Sequence, residues 1–289
     1  MLRNFIKEIA LVSKRQMINR FYILIFLTAK AFLGFGQEVN MSDLRFHSEL
    51  EKAVLVNTSS QPTLSLLLVA DQSVDHERAK SALNTYQANL AFYQNQQSKY
   101  RSEEQFLKFF FYRVHRKELK SYEQYVSLAS QFETGQYDCL TATSLYYLYL
   151  TDLGYKVNLV ETDYHIYLKV NAGDRSFLFE STDPIAGFIS SEIEIFEKEK
   201  EYLSAQRQNL SGISSNTTDG QKSYILNDKL TKKELAGLNY YNRAIVAWNA
   251  KDILKAVALV DKSFFLYPSD RISNVRDYFR GQSELLASK

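Results

Sequence analysis

Gly135-Gln136-Tyr137-Asp138-Cys139-Leu140-Thr141-Ala142-Thr143-Ser144-Leu145 holds the only cysteine of the chain. A turn-like Gly-Gln-Tyr-Asp leads into it, and the apolar run Leu145-Tyr146-Tyr147-Leu148-Tyr149-Leu150 leaves it before Gly154 closes the stretch. This pattern predicts a helix of about four turns with the thiol in its first turn. A helix N-terminus carries positive potential, so a thiol there is expected to have its thiolate favoured. Taken alone, a free cysteine is most often a small buried hydrophobe. Both readings stay open at this point.

Beyond Gly154 the hydrophobic period changes from helical to two. Lys156–Glu161, Tyr164–Val170 and Ser176–Glu180 read as strands, with Gly173-Asp174 at the centre of a tight hairpin turn. That turn sets Ala172 opposite Arg175 and His165 opposite Thr182. His165, Tyr167, Leu178, Glu180 and Thr182 then share one face. Ile166, Leu168, Val170, Phe177 and Phe179 share the other, a consistent apolar set. His165 is the base that a nucleophilic Cys139 needs. Two carboxylates compete to orient it. Parity favours Glu180 and puts Asp183 on the wrong face unless the strand has ended. An oxyanion hole needs the Cys139 N–H and a side-chain donor. Gln136 is the candidate by proximity, with an ordinary loop amide as the plainer reading.

The flanks read mostly as helix. Val74–Tyr100 repeats Ala79, Leu83, Tyr86, Leu90 and Tyr93 at spacings of three and four. Ser102 with Gln105 opens a second helix running from Glu103 to about Arg116, with His115 expected at a solvated position near its end. Tyr122–Phe132 reads as a further short helix, and Leu64–Val69 as helix or strand. The acidic stretch up to Glu201 reads as a solvated helix or loop, and residues 201–230 as a polar linker. Thr231 with Glu234 forms a capping box for a helix starting at Lys232. The segment 237–270 resembles one tetratricopeptide repeat. Tyr240, Ala244, Ala247, Ala256 and Val260 stand where its two helices must touch, Lys251-Asp252 makes the turn, and Pro268 ends the second helix. A third helix, about Arg271 to Leu286, would cap it.

Composition excludes several classes. Lys+Arg at 35 against Asp+Glu at 33 leaves no basic excess for nucleic acid. A single cysteine and four dispersed histidines (His47, His76, His115, His165) give no metal-ligand spacing. No metal or cofactor is expected. Lys14, Arg15 and Arg20 precede the short apolar core Phe21–Ala29, and Gly34-Phe35-Gly36 follows it. This reads as an export signal over 1–36. An uncleaved anchor is the rival, and only then would a membrane be a partner.

Cysteine on a helix, histidine on a strand and an acid at the next strand's end follow one another in chain order. With Gln136-Tyr137-Asp138-Cys139, Tyr164-His165-Ile166-Tyr167-Leu168 and Phe179-Glu180-Ser181-Thr182-Asp183-Pro184, the chain resembles the bacterial transglutaminase-like superfamily over about residues 60–280. The family usually places an Asp in a strand-end Asp-Pro-Thr-like context. Here Glu180 fits that frame, and Asp183-Pro184 offers the usual residue three positions late. The resemblance implies an α+β chain: a helical bundle leading into a papain-like core with a small antiparallel sheet. Its parts are a transglutaminase-like domain over 37–200 and a tetratricopeptide-like segment over 231–289. It also implies acyl transfer on peptide or amide bonds through a thioester, with water or an amine as acceptor. Some members of the superfamily are inactive and serve only in binding, with the helical segment then the surface for a protein partner. The expected location is periplasmic or extracellular.

Overall fold

Periodicity places the first helices, and burial shows which of their faces carry the structure. The computed structural model describes residues 39–162, 165–210 and 225–287, with backbone alone at 203–210 and 225–226. The export signal expected over 1–36 lies outside the described residues, as do Asp163 and Tyr164. A one-turn 3-10 helix at Met41–Asp43 is followed by α1 (Glu49–Val56), α2 (Thr63–Leu68), α3 (His76–Gln97) and α4 (Glu103–Glu118). The apolar run near Leu64 is therefore helical, and Leu64, Leu66, Leu67 and Leu68 are all buried. Asp75 caps α3 by accepting from the Arg78 N–H at 2.8 Å, and Ser102 caps α4 by accepting from the Gln105 N–H at 3.3 Å.

The expected α3 stripe is wider than the buried one. Ala82, Tyr86 and Tyr93 are buried, whereas Leu83 is 41% exposed. Many of the tyrosines are core residues with a satisfied hydroxyl. Tyr93 and Tyr149 both donate to Glu118, at 2.5 and 2.7 Å, and Tyr86 stacks on Tyr149 at 5.0 Å. His115 departs from expectation. It lies buried among Phe111, Tyr137 and Tyr146, and burial pushes its pKa down to about 4, so it is a neutral core residue.

The short helix expected over Tyr122–Phe132 starts later. Ser121–Tyr122 forms strand β1, then α5 (Leu128–Thr134) and strand β2 (Gln136–Tyr137), which runs parallel to β1. Tyr125, at φ 59, turns the chain, and Ser127 supplies the cap by accepting from the Ser130 N–H at 3.1 Å. Gly135 ends α5 at φ +79, a left-handed conformation that a side chain would strain. Helix α6 (Cys139–Asp152) follows directly.

Five strands form an antiparallel sheet: β3 (Lys156–Thr162), β4 (Ile166–Ala172), β5 (Arg175–Phe179), β6 (Phe188–Ile189) and β7 (Ile225–Asn227), in the order β6-β5-β4-β3-β7. The α+β class thus holds, with helix predominating. Ala172 pairs with Arg175 and Leu168 with Phe179, the register that a two-residue turn at Gly173 demands. Ile166, Leu168, Val170, Phe177 and Phe179 enter the main core. Tyr167 and Leu178 lie on the other face in a second cluster with Val160, Ile195 and Tyr202.

Ile195 and Tyr202 belong to α7 (Glu192–Leu210), which corrects two expectations. The acidic stretch is helical, but its inward stripe is buried rather than solvated. The supposed linker over 201–230 contains the last turns of α7 and the edge strand β7. Its charged residues hid one buried position per two turns.

Helix α6 is buried on almost every side, as its nearly unbroken apolar run requires. Small residues let it approach the sheet closely. Thr143 donates to the Ile166 carbonyl at 3.2 Å and meets the Ser181 hydroxyl at 2.7 Å. These bonds tie the second turn of α6 to the start of β4 and to the loop after β5.

Helices α8 (Lys232–Asn249), α9 (Ile253–Leu266) and α10 (Asp270–Ala287) close the chain. Thr231 and Glu234 form the reciprocal capping box. Tyr240, Ala244, Ala247, Ala256 and Val260 are all buried, as a helical hairpin at that spacing needs. This segment is not set apart, since Asn40–Lys289 forms one compact unit. Lys262 on α9 reaches Glu51 on α1 at 2.7 and 2.8 Å, with both side chains fully buried.

Candidate active site

The N-terminus of α6 is built by Asp138. Its carboxylate accepts from the Thr141 N–H at 2.7 Å, while the Thr141 hydroxyl accepts from the Asp138 N–H at 2.9 Å. Cys139 is the first residue of the helix. The expected electrostatics fail here. Burial, then the charges of Asp138 and Glu180, push the thiol up to about 12, and the backbone N–H groups of Leu140 and Cys139 pull it back only in part. The physical reason is burial first, with the cap adding to it. A helix end carries about half a positive charge, and a carboxylate adjacent to the thiol brings a full negative one. At rest the sulfur is a protonated thiol.

His165 sits just before β4. Its backbone N–H donates to the Thr162 hydroxyl at 3.1 Å, which closes the β3–β4 connection and fixes the imidazole at the sheet's end. Its Nε2 lies 2.6 Å from Glu180 Oε2. Glu180 stands one residue past β5, with 4% of its surface exposed. Its Oε1 accepts from the Thr182 N–H at 3.0 Å and the Thr182 hydroxyl at 2.6 Å, and its Oε2 also accepts a short hydrogen bond from the Tyr202 hydroxyl. Burial alone would raise this carboxyl. The bond and charge of His165, then the bonds from Thr182 and Tyr202, overcome that and bring it down to about 2.

Asp183 takes a different place. Its Oδ1 accepts from the Ile185 N–H at 3.0 Å and the Ala186 N–H at 2.8 Å, an Asx-type turn that sends the chain back toward β6. Of the two candidate carboxylates, Glu180 is the one that holds the imidazole. Gln136 lies on β2, where its amide oxygen accepts from the Thr134 hydroxyl at 3.4 Å. It does not line the cleft around Cys139; the amides that do are Gln124, on the loop after β1, and Asn242 on α8.

Cys139 and His165 line one cleft of about 340 Å³. Tyr122 and Tyr125 flank it from the β1 side, and Tyr241, Asn242 and Arg271 from the C-terminal helices. Arg271 pairs with Glu161 on β3 and stacks over Tyr241 at 5.1 Å. Asn242 donates to the second oxygen of Asp138 at 3.5 Å, so the C-terminal segment touches the cap of the cysteine helix. None of these positions was legible as site residues. Only Tyr202 left a trace, as the second member of an Ile195/Tyr202 pair seven residues apart in an acidic run.

Gly187 supports the acid. Its carbonyl accepts from the Glu180 N–H at 2.8 Å, and a Cβ there would meet the Glu180 carbonyl at 2.2 Å and the Asp183 carbonyl at 2.4 Å. Backbone cannot yield as a flexible side chain does. Gly187→Ala is expected to cost about 1–3 kcal/mol, read as a lower urea midpoint, and to disturb the Glu180 loop. An unchanged midpoint would show that the loop has slack.

The chain matches no protein-family model, no curated protein and no solved structure.

Proposed function

We propose that this protein is an exported cysteine hydrolase or acyltransferase of transglutaminase-like, papain-like type, acting on peptide or amide bonds. The observation that carries this reading is the 2.6 Å contact of Glu180 with Nε2 of His165, whose side chain lines the same cleft as Cys139. The carboxylate holds the imidazole tautomer that presents the other ring nitrogen as a base. As the Cys139 sulfur bonds to the substrate carbonyl carbon, its proton passes to His165. The C–N bond then breaks, and His165 returns the proton to the leaving amine, leaving a thioester. Water or a second amine attacks the thioester carbon and gives its proton to His165; the C–S bond then breaks, and His165 returns the proton to the sulfur, restoring the thiol.

The high thiol pKa makes this a general-base mechanism and not a preformed thiolate–imidazolium pair. At pH 7, iodoacetamide is therefore expected to alkylate Cys139 more slowly than free cysteine. The rate should still be rising at pH 9–10, above the ordinary thiol value of about 8.5. A plateau below pH 7 would contradict the electrostatics described here. Function is tested with a peptide library in the presence and absence of a primary amine. Cleavage, deamidation or amine incorporation that Cys139→Ala abolishes supports the proposal, and no Cys139-dependent change in any peptide overturns it. The resting protonated thiol favours a second reading, a binding module that has retained the site without the activity, and that negative result would be its signature.

A further inference from the structure

On the sheet face opposite α6, Tyr202 reaches from α7 to the acid. Its hydroxyl donates to Glu180 Oε2, the same oxygen that lies against His165 Nε2. Its ring is 5.5 Å from the His165 ring and stacks on Tyr167 at 5.0 Å. Tyr202 is buried, and burial followed by the Glu180 charge keeps its phenol protonated far above its ordinary range. It therefore acts toward Glu180 as a donor.

We infer that Tyr202 is a positioning residue that sets how strongly Glu180 supports a protonated His165. One carboxylate oxygen shared by two donors divides its charge between them, and removing one donor concentrates that charge on the other. Thr182 acts on the opposite oxygen and affects the imidazole only through the carboxylate as a whole. Among the described residues, the other titratable groups that line the cleft with His165 are Cys139 and Asp138 at the start of α6, Tyr122 and Tyr125 near β1, Glu161 on β3, Tyr241 on α8 and Arg271 on α10. Behind Tyr202, Lys198 lies 5.3 Å from the center of its ring. None of these donates to Glu180, so a change at Tyr202 is read by His165 directly.

The inference rests on the Cys139–His165–Glu180 reading for its consequence in catalysis, but its test needs no substrate. In full-length protein carrying Cys139→Ser, the His165 ring is titrated by NMR with and without Tyr202→Phe, which keeps the stacked ring and removes only the hydroxyl. The midpoint is expected to rise by roughly half to one pH unit. Thr182→Val is expected to move it in the same direction by less. An unchanged or lowered midpoint in Tyr202→Phe overturns the inference. So does loss of the folded spectrum, which would make Tyr202 a packing residue. A shifted midpoint alongside a failed peptide assay would instead retain the coupling and remove the enzyme reading alone.

Discussion

Glu180→Gln is expected to lower Cys139-dependent turnover by about four orders of magnitude, the scale seen when a triad carboxylate becomes an amide, while Asp183→Asn leaves it nearly unchanged. The carboxylate accepts from His165, Tyr202 and twice from Thr182. An amide can keep one accepting oxygen, but its NH2 group then faces a donor. If that donor is His165, the imidazole takes the wrong tautomer or turns away. The unmade bond also costs about 1–3 kcal/mol of stability. A pH signature accompanies it. The Glu180 carboxyl titrates near 4.5 when unfolded and near 2 when folded. Its stabilisation, about 3 kcal/mol, is fully present above pH 4.5 and is lost as pH falls toward 2. Urea unfolding at pH 7 and pH 3 should show this loss in the wild type and a flatter response in Glu180→Gln. Equal loss of turnover in Asp183→Asn would assign the imidazole's partner wrongly here.

Lys262→Met is expected to destabilise the fold by about 3–5 kcal/mol, a large share of the roughly 5–15 kcal/mol that holds a domain together. The change leaves Glu51 as a charge with no exposed surface, whose remaining partners among the described residues are the Tyr240 hydroxyl at 2.8 Å, the His47 N–H at 2.8 Å and the His47 ring at 2.9 Å. Burial raises the Glu51 carboxyl, and the His47 and Lys262 interactions bring it below its ordinary 4.5. The contribution of Glu51 is thus complete above pH 4.5 and fades as pH falls through the lower folded value. The double variant Lys262→Met/Glu51→Leu is expected to recover most of the loss, because no unpaired charge remains and Tyr240 keeps the Val69 carbonyl at 3.1 Å as an acceptor. Chemical denaturation of the three proteins measures the coupling. A double variant no more stable than Lys262→Met would show that the pair is not what joins α1 to α9.

These effects divide what could be read in the residues from what could not. Local patterns were legible. Apolar alternation and the Gly173 turn set Ala172 against Arg175, and from that parity alone Glu180 was the better partner for His165. The Thr231/Glu234 box marked the start of α8, and the spacing of Ala244, Ala247, Ala256 and Val260 marked its packing against α9. Ser127, by contrast, is not legible as the α5 cap, because Tyr122–Phe132 reads as one helix by pattern.

Spacing along the chain alone determined the long helices, the β4–β5 register and the order Cys139, His165, Glu180. Only the tertiary structure decided how those groups behave. It buried the thiol, set Glu180 near it and raised its pKa. It turned Asp183 inward to its own loop. It brought Tyr202 to the acid from 22 residues away, and the C-terminal helices to the wall of the cleft. The reason is that periodicity and capping act between near neighbours in sequence. Burial and charge act through space, on groups that the chain brings together only when folded.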